Sequence, residues 1–385
     1  MTYLFFLGQT SDLCWEELKT VLARFALPEP DRLEERFAAL DSEELIDVEQ
    51  LQHVLGGTYK IAQIHSITPH LEFSEVESTV KNIITELQPK RFALAEHGRD
   101  HLPVVEAREI KRQLNNAGTK VSYHETPRTG ANAAVLKHNK SLTELHVIQL
   151  EQSLLFATTL TWQDPDAWRI RDVEKPMRDR KRGMLSSKVS RMMLNLGIGT
   201  HQPQDAIVLD PFCGMGTILI EAVDLGVLSV LGNDASPEAI VSTTKNLAWW
   251  SEESSNEFQH SLTVKKSENL EPRDFPTQPT CIVTEPFLGK LTPTPEQIPG
   301  VIRGLEKMYK GTVRSFAKLL PEGGRVVMIL PAYEGKKGKT ITVTKALDEF
   351  AAQGFEQLSG PFRGGRPSAV TQREIYVFEK KAPRG

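Results

Sequence analysis

Apolar side chains recur at every second position in some stretches of the chain and at every third or fourth in others, and the two periods take turns. Residues 3–7 read as a strand, and residues 12–26 as a helix with Leu13, Leu18, Val21, Leu22 and Phe25 on one face. Alternation resumes near residues 45–48, a helix-like stretch follows, and Gly56-Gly57-Thr58 leads into a strand over 59–67 that Pro69 closes. Next come an amphipathic helix over 74–87, a strand over 91–95 and a basic helix over 104–117. Segments 121–123, 133–137 and 143–150 complete a second α/β unit that ends near residue 160.

The second half is more regular. A short helix is predicted over 189–196, and residues 205–210 form an apolar run suited to a buried parallel strand. Pro211-Phe212-Cys213-Gly214-Met215-Gly216-Thr217 follows, then a helix over 218–223. Strands are predicted over 228–234, 262–269, the segment beginning at 280, 323–330, 354–358 and 373–380, with helices over 298–320 and 343–352. No helix separates the last two strands, which predicts an antiparallel final pair. Residues 363–367 read as an exposed basic loop. The fold class is therefore α/β: a Rossmann-like C-terminal domain, its sheet mostly parallel with an antiparallel last strand, preceded by smaller α+β units.

A chain of 385 residues exceeds one ordinary domain, and we place an N-terminal ferredoxin-like α/β unit at 1–72, a different, second α/β unit at 73–160, a basic linker at 161–185 and the large domain at 186–385. At 39% hydrophobic and 25% charged residues, with no apolar run near the roughly 20 residues that span a bilayer, a soluble protein without membrane contact is expected. The start lacks a basic segment before its short apolar run, so no export signal is expected. Cys14, Cys213 and Cys281 have neither the pairing nor the histidine spacing of a disulfide framework or zinc site; the expectation is a reducing cytoplasm and no metal. The formal net charge of −4 excludes a general cationic coat, but not a local basic stripe. Between residues 162 and 191, Arg169, Arg171, Lys175, Arg178, Arg180, Lys181, Arg182, Lys188 and Arg191 outnumber Asp172, Glu174 and Asp179. This segment reads either as a solvated strap or as a phosphate contact through Arg178, Arg180, Lys181 and Arg182, to which Arg108, Lys111 and Arg112 on the basic helix add.

The strand, glycine turn and helix around residue 210 predict a cofactor site at the carboxyl end of the strand. The turn lacks the third glycine of the dinucleotide fingerprint and the Lys-Ser/Thr of a P-loop, and Asp210 would repel a pyrophosphate. A carboxylate there suits the ammonium of S-adenosylmethionine. Pro211, Phe212, Cys213, Gly214, Gly216 and Thr217 form the cradle, and Asp234, with Ala235 after it, ends the next strand where a carboxylate grips ribose hydroxyls. Asp234 also reads as a helix cap before Ser236-Pro237-Glu238. Glu268 or Asn269 at the third strand end is the candidate for the adenine amine. At the fourth, Glu285 and the carbonyl of Pro286 are placed to accept hydrogen bonds from an amine, and Phe287 to stack on an extruded base; a structural turn is the other reading.

The segment from Asp210 to Ala222 resembles the first methyltransferase motif of the THUMP-domain tRNA guanosine-N2 methyltransferases that act on guanosine 10. Tyr3-Leu-Phe-Phe-Leu-Gly8, Gly56-Gly-Thr-Tyr-Lys-Ile-Ala62 and Arg180-Lys-Arg-Gly-Met-Leu-Ser-Ser-Lys-Val-Ser-Arg191 are similar to that family's other segments, so the resemblance covers nearly the whole chain. It implies a class I methyltransferase domain behind a THUMP-like module at 73–160 that holds the acceptor end of tRNA, with S-adenosyl-L-methionine as cofactor, tRNA as partner and a small activating protein as a further candidate partner. By the same resemblance Met184 lines the methionine end of the cofactor. Where the family carries Asp-Pro-Pro-Tyr, this chain has Glu285-Pro286-Phe287-Leu288. Adenine N6, a guanine N2 of ribosomal RNA, and a catalytically silent RNA-binding protein are the alternatives to N2 methylation of tRNA guanosine.

Overall fold

A computed structural model describes residues 1–69, 73–98, 106–178, 185–290, 292–334, 340–364 and 370–382. The chain forms two units, the first from Met1–Ser11, Leu27–His53 and Thr58–Asp166, the second from Asp12–Ala26, Val54–Gly57 and Ala167–Gly385.

The first unit is built on β1 (Thr2–Leu7), β2 (Asp31–Glu34), β3 (Phe37–Asp41), β4 (Thr58–Pro69), β5 (Arg91–His97), β6 (Ser122–Tyr123), β7 (Leu142–Gln149) and β8 (Ser153–Trp162). They lie in one sheet in the order β2-β3-β1-β4-β8-β7-β5-β6, with β5 parallel to β6 and β7 and every other pairing antiparallel. The described strands on either side of the expected boundary at residue 72 thus share a sheet. Val80, Ile84, Ile110 and Leu114 pack on Phe92, Leu145 and Phe156, burying the apolar faces that their helical spacing marked. Short β2 and β3 were not foreseen; β2 is the edge strand, and its Asp-Arg-Leu-Glu sequence carries little apolar signal. Residues 133–138 form a helix, capped by Asn132 accepting from Val135 N.

The second unit includes α1 (Ser11–Arg24) from residue 12 onward. Buried Glu17 explains why: it accepts from Gly56 N at 2.8 Å, Gly57 N at 2.7 Å and Asn195 Nδ2 at 2.7 Å, the last on α7 (Ser187–Ile198). The unit's sheet contains β9 (Ile207–Asp210), β10 (Ser229–Asp234), β11 (Gln259–Val264), β12 (Cys281–Thr284), β13 (Arg325–Glu334), β15 (Phe355–Gly364) and β16 (Thr371–Lys380), ordered β11-β10-β9-β12-β13-β16-β15, with β14 (Thr340–Thr342) against β13. The first five are parallel; β16 is antiparallel to β13 and also to β15, the latter being the final pair that the missing helix predicted. Arg363 and Gly364, expected in a loop, belong to β15. Helices α8 (Thr217–Asp224), α9 (Pro237–Ser254), α10 (Ile298–Leu319) and α11 (Thr344–Ala352) complete the unit; Tyr309, Val313 and Phe316 of α10 are fully buried against Ile282, Val326 and Met328.

Within the stretch expected as a linker, residues 165–174 are helical. Residues Pro165–Arg169 form α6 and Ile170–Glu174 a turn of π-helix. Arg171, Lys175 and Arg191, three cations of the basic run, are buried. Arg171 Nε meets Glu221 at 2.6 Å, Arg191 Nη2 meets Glu221 at 2.8 Å and also pairs with Asp224, and Arg171 stacks on Trp168 with 4.5 Å to the ring centroid. For these residues the solvated-strap and phosphate readings are both replaced by internal pairing, because acids on α8, far away in sequence, supply the counter-charge. Among the described residues, no helix is long and apolar enough to cross a membrane.

Candidate active site

From β9 the chain runs outward to β10 and β11 and then returns to the other side of β9 as β12. Strand order reverses at β9, the place where open α/β sheets receive ligands beyond the carboxyl ends of their strands. Asp210 ends β9, Asp234 ends β10 and Glu285 immediately follows β12.

Asp210 is buried, and both Thr284 Oγ1 at 2.7 Å and Phe212 N at 3.1 Å donate to its Oδ1. Burial pushes its carboxyl up to about 7, further than these two donors pull it down, and the charges of Asp234 and Glu285 add to the rise. A ligand cation at this carboxylate would reverse that penalty. Gly214 and Gly216 have φ of +54° and +79°, so the turn uses backbone conformations that side chains resist. A Cβ on Gly214 would meet nothing nearer than Phe212 O at 3.9 Å, which leaves open space beside the turn; at Gly216 it would press on Thr243 Cγ2 at 3.0 Å. The turn is held from beneath: Cys213 N donates to Asn233 O, Asn233 Nδ2 to Pro211 O, Thr243 Oγ1 to Gly214 O and Asn246 Nδ2 to Met215 O. Cys213 is buried, and burial drives its thiol far above the ordinary range, so it packs rather than reacts. Thr217 opens α8, and its Oγ1 accepts from buried Lys175 Nζ at 2.6 Å.

Asp234 joins the two strand ends, its Oδ2 accepting from Gly214 N at 3.1 Å and its Oδ1 from Ser236 N at 2.9 Å. The cap of α9 is Ser236, whose side chain accepts from Ala239 N, so the cap reading of Asp234 passes to its neighbour. Ala235 is exposed at the same rim. The third strand stops at Val264, earlier than expected, and Glu268 and Asn269 lie in a turn of 3₁₀-helix (Ser267–Asn269) fixed by Ser267 Oγ to Thr312 Oγ1 at 2.8 Å. Gly311 permits this approach, since a Cβ there would sit 2.6 Å from Glu268 Cβ.

After β12, Glu285 is largely buried and pairs with Arg373 Nε of β16 at 2.5 Å. Burial raises its carboxyl, and Arg373 opposes that rise. Two tyrosines fix the loop backbone: Tyr309 donates to Phe287 O at 2.7 Å and Tyr333 to Leu288 O at 2.5 Å. Pro286 and Leu288 are buried, whereas Phe287 is 63% exposed, an aromatic face presented to solvent from a rigid support. Sequence reasoning found the acids and glycines, because these sit next to one another along the chain. It missed Thr284, Lys175, Asn246, Tyr309, Tyr333 and Arg373, of which only Thr284 adjoins a recognised motif.

The expected nucleic-acid contacts divide. Arg108, Lys111 and Arg112 on α4 (Ala107–Asn116) are exposed and line a cavity of about 500 Å³ in the first unit with Asn115, Asn116, Tyr123 and Glu125. Arg108 pairs with Glu125 at 2.6 Å and Arg112 with Glu109 at 2.7 Å. Arg178, in the second unit, is exposed; Arg180, Lys181, Arg182 and Met184 lie outside the described residues.

Residues 176–271 match the family described as UPF0020: RMKL-like, methyltransferase domain. A tRNA (guanine(10)-N2)-dimethyltransferase of Methanothermobacter thermautotrophicus is 32% identical over 154 residues, 39% of this chain and 40% of that protein, so the chain spans about 40% of the relative's length. The structure of TrmN from Thermus thermophilus superposes with a TM-score of 0.58 at 18% identity, covering 99% of this chain and all of that one. A chain described as "a possible methylase from Clostridium difficile 630" gives 0.52 at 13% identity, over 100% and 99%. Such structural likeness speaks for the fold alone, and it agrees with the strand order and the switch point at β9. The second unit therefore has the class I methyltransferase fold, and the chain resembles the tRNA guanine-N2 methyltransferases, as its motifs led us to expect.

Proposed function

We propose that this chain methylates the exocyclic N2 amine of a guanosine in tRNA, with S-adenosylmethionine as donor and position 10 as the target. The observation that carries the proposal is the rim itself: Asp210 and Asp234 end β9 and β10, and Glu285 follows β12 on the other side of β9, around an open glycine turn and beside a loop whose backbone two tyrosines hold.

In this reading Asp210 takes the cofactor's ammonium, Asp234 the ribose hydroxyls, and Glu268 or Asn269 the adenine amine. Met184 borders the methionine end, with Pro211, Phe212, Cys213, Gly214, Gly216, Thr217 and Ala235 forming the cradle. The bound donor supplies a methyl group on a sulfonium, an electrophile in need of an oriented nucleophile. Guanine N2 is a weak nucleophile, since its lone pair is delocalised into the ring. Glu285 and the carbonyl of Pro286 would accept its N–H bonds and turn the lone pair toward the methyl, and Glu285 would receive the proton released as the N–C bond forms and the methyl's bond to sulfur breaks, its electron pair staying on the thioether of S-adenosylhomocysteine. Phe287 stacks on the base after it leaves its helix, which accounts for an exposed aromatic on a fixed loop. The first unit serves as the THUMP-containing RNA module, its Arg108, Lys111 and Arg112 contacting phosphates, as do Arg178, Arg180, Lys181 and Arg182 of the basic run in the second unit.

The test is transfer of labelled methyl to unmodified tRNA, with product nucleosides identified by mass spectrometry. Wild-type protein is expected to form N2-methylguanosine, and Glu285→Ala to lose turnover by at least a hundredfold while binding S-adenosylhomocysteine normally. Full activity in Glu285→Ala would remove the acceptor role; a labelled adenosine would reassign the target.

A further inference from the structure

Glu285 does not stand alone. Its carboxylate and the Arg373 guanidinium meet at 2.5 Å, with 16% and 31% of their side chains exposed, and they come from different strands of the same sheet. Arg373 sits opposite Pro331 of β13, and two residues earlier Thr371 Oγ1 donates to Lys290 O in the segment that follows the Glu285 loop. The tyrosine bonds to Phe287 O and Leu288 O hold the other side of that loop. A partly exposed cation is thus held beside the amine acceptor.

The rest of the inference follows from the chemistry of the bases. Along its pairing edge guanine presents two donors, N2–H and N1–H, and then an acceptor, O6. A carboxylate followed by a guanidinium presents the complementary series. Adenine presents an amine at the six position and an unprotonated N1, which would set a donor against the guanidinium and a lone pair against the carboxylate. A site built around such hydrogen bonds rejects a base that leaves them unmade far more strongly than an apolar pocket does.

On the reading of the preceding section, we infer that Glu285 and Arg373 act as a single recognition edge for guanine, the carboxylate accepting from N2–H and N1–H while Arg373 donates to O6. Arg373 is then the residue that selects guanine over adenine. It also opposes the rise that burial imposes on the Glu285 carboxyl, which favours the acceptor form.

The experiment compares two tRNAs, one with guanosine at the methylated position and one with 6-thioguanosine there, whose sulfur is a poor acceptor and whose N1–H and N2–H are retained. The position is located first on unsubstituted tRNA. Wild-type protein is expected to show a kcat on guanosine about ten- to a hundredfold above that on 6-thioguanosine. Arg373→Met should lose most of that ratio, and Arg373→Lys, which keeps a charged donor, should retain part of it. Binding of S-adenosylhomocysteine to each variant reports that the domain is folded. Equal rates on the two tRNAs with wild-type protein, or an undiminished ratio in Arg373→Met, would overturn the inference and leave the methyltransferase reading standing. If wild-type protein forms no N2-methylguanosine on unsubstituted tRNA, that reading falls, and this inference with it.

Discussion

Glu144 in the first unit and Asp210 in the second are both carboxylates withdrawn from water, and their surroundings treat them in opposite ways. Glu144 accepts from Lys60 Nζ at 2.5 Å, Thr159 Oγ1 at 2.6 Å and Ala131 N at 2.6 Å, with His146 Nε2 at 3.2 Å. Burial pushes its carboxyl up, but His146 and Lys60 outweigh that and hold it well below the usual range. Among the described residues Asp210 accepts from a hydroxyl and a backbone amide, and the charges of two further acids, Asp234 and Glu285, act on it, so burial prevails and its carboxyl rises to about 7. Each backbone treats its acid consistently: Gly130 makes room for Glu144, where a Cβ would sit 2.4 Å from Oε1, and Gly214 leaves room beside Asp210's turn for something else. A carboxylate whose charge is answered inside the fold is a structural element. One that the fold leaves unanswered would gain from a cation supplied from outside, in keeping with the ammonium proposed for it.

The largest expected effect comes from breaking the first of these. Lys60→Met leaves Glu144 buried without its cation and should cost about 3–5 kcal/mol, read as a fall in denaturant midpoint for the full chain; a loss under about 1 kcal/mol would mean that His146 and the hydrogen bonds suffice. Asp210→Asn should act in the opposite direction on the ligand-free protein. A folded carboxyl raised to about 7 contributes stability that is fully present below the unfolded value and lost as pH rises through 7, so wild-type protein is penalised at pH 8 and the asparagine variant is not. The variant should be more stable than wild type at pH 8, by on the order of 4 kcal/mol, and this gain should fade toward pH 4. A difference that does not vary with pH would place Asp210 among the structural acids.

These two acids also mark how far sequence reading reaches. Asp210 was legible because strand, glycine turn and helix are contiguous, and each constrains the next through local backbone geometry. Glu144 drew no notice, since its partners Lys60 and Thr159 come from other strands and the turn at 130–131 from another loop. The same limit caused the misreading of Arg171, Lys175 and Arg191: a run of cations signals a solvated or phosphate-facing stretch unless Glu221, Asp224 and Thr217, some 30 to 50 positions away, are known to face it. Glu268 and Asn269 were placed on a strand end because the apolar run fades gradually after Val264, whereas the 3₁₀ turn depends on Gly311 and Thr312 of α10. The Glu285 departure was visible, but its counterpart Arg373 lies 88 residues further on and only sheet pairing brings it near.

The measurement that tests the account most directly is calorimetric titration of S-adenosylmethionine into the full chain at pH 7 in two buffers of different ionisation heat, for wild type and Asp210→Asn. A cation bound at Asp210 draws its raised carboxyl back to the ionised state, so wild-type protein should release about half a proton more than the variant, and the variant should bind at least tenfold more weakly. Equal affinity and equal proton count in the two proteins would contradict the assignment of the β9 rim as the site of the cofactor's ammonium.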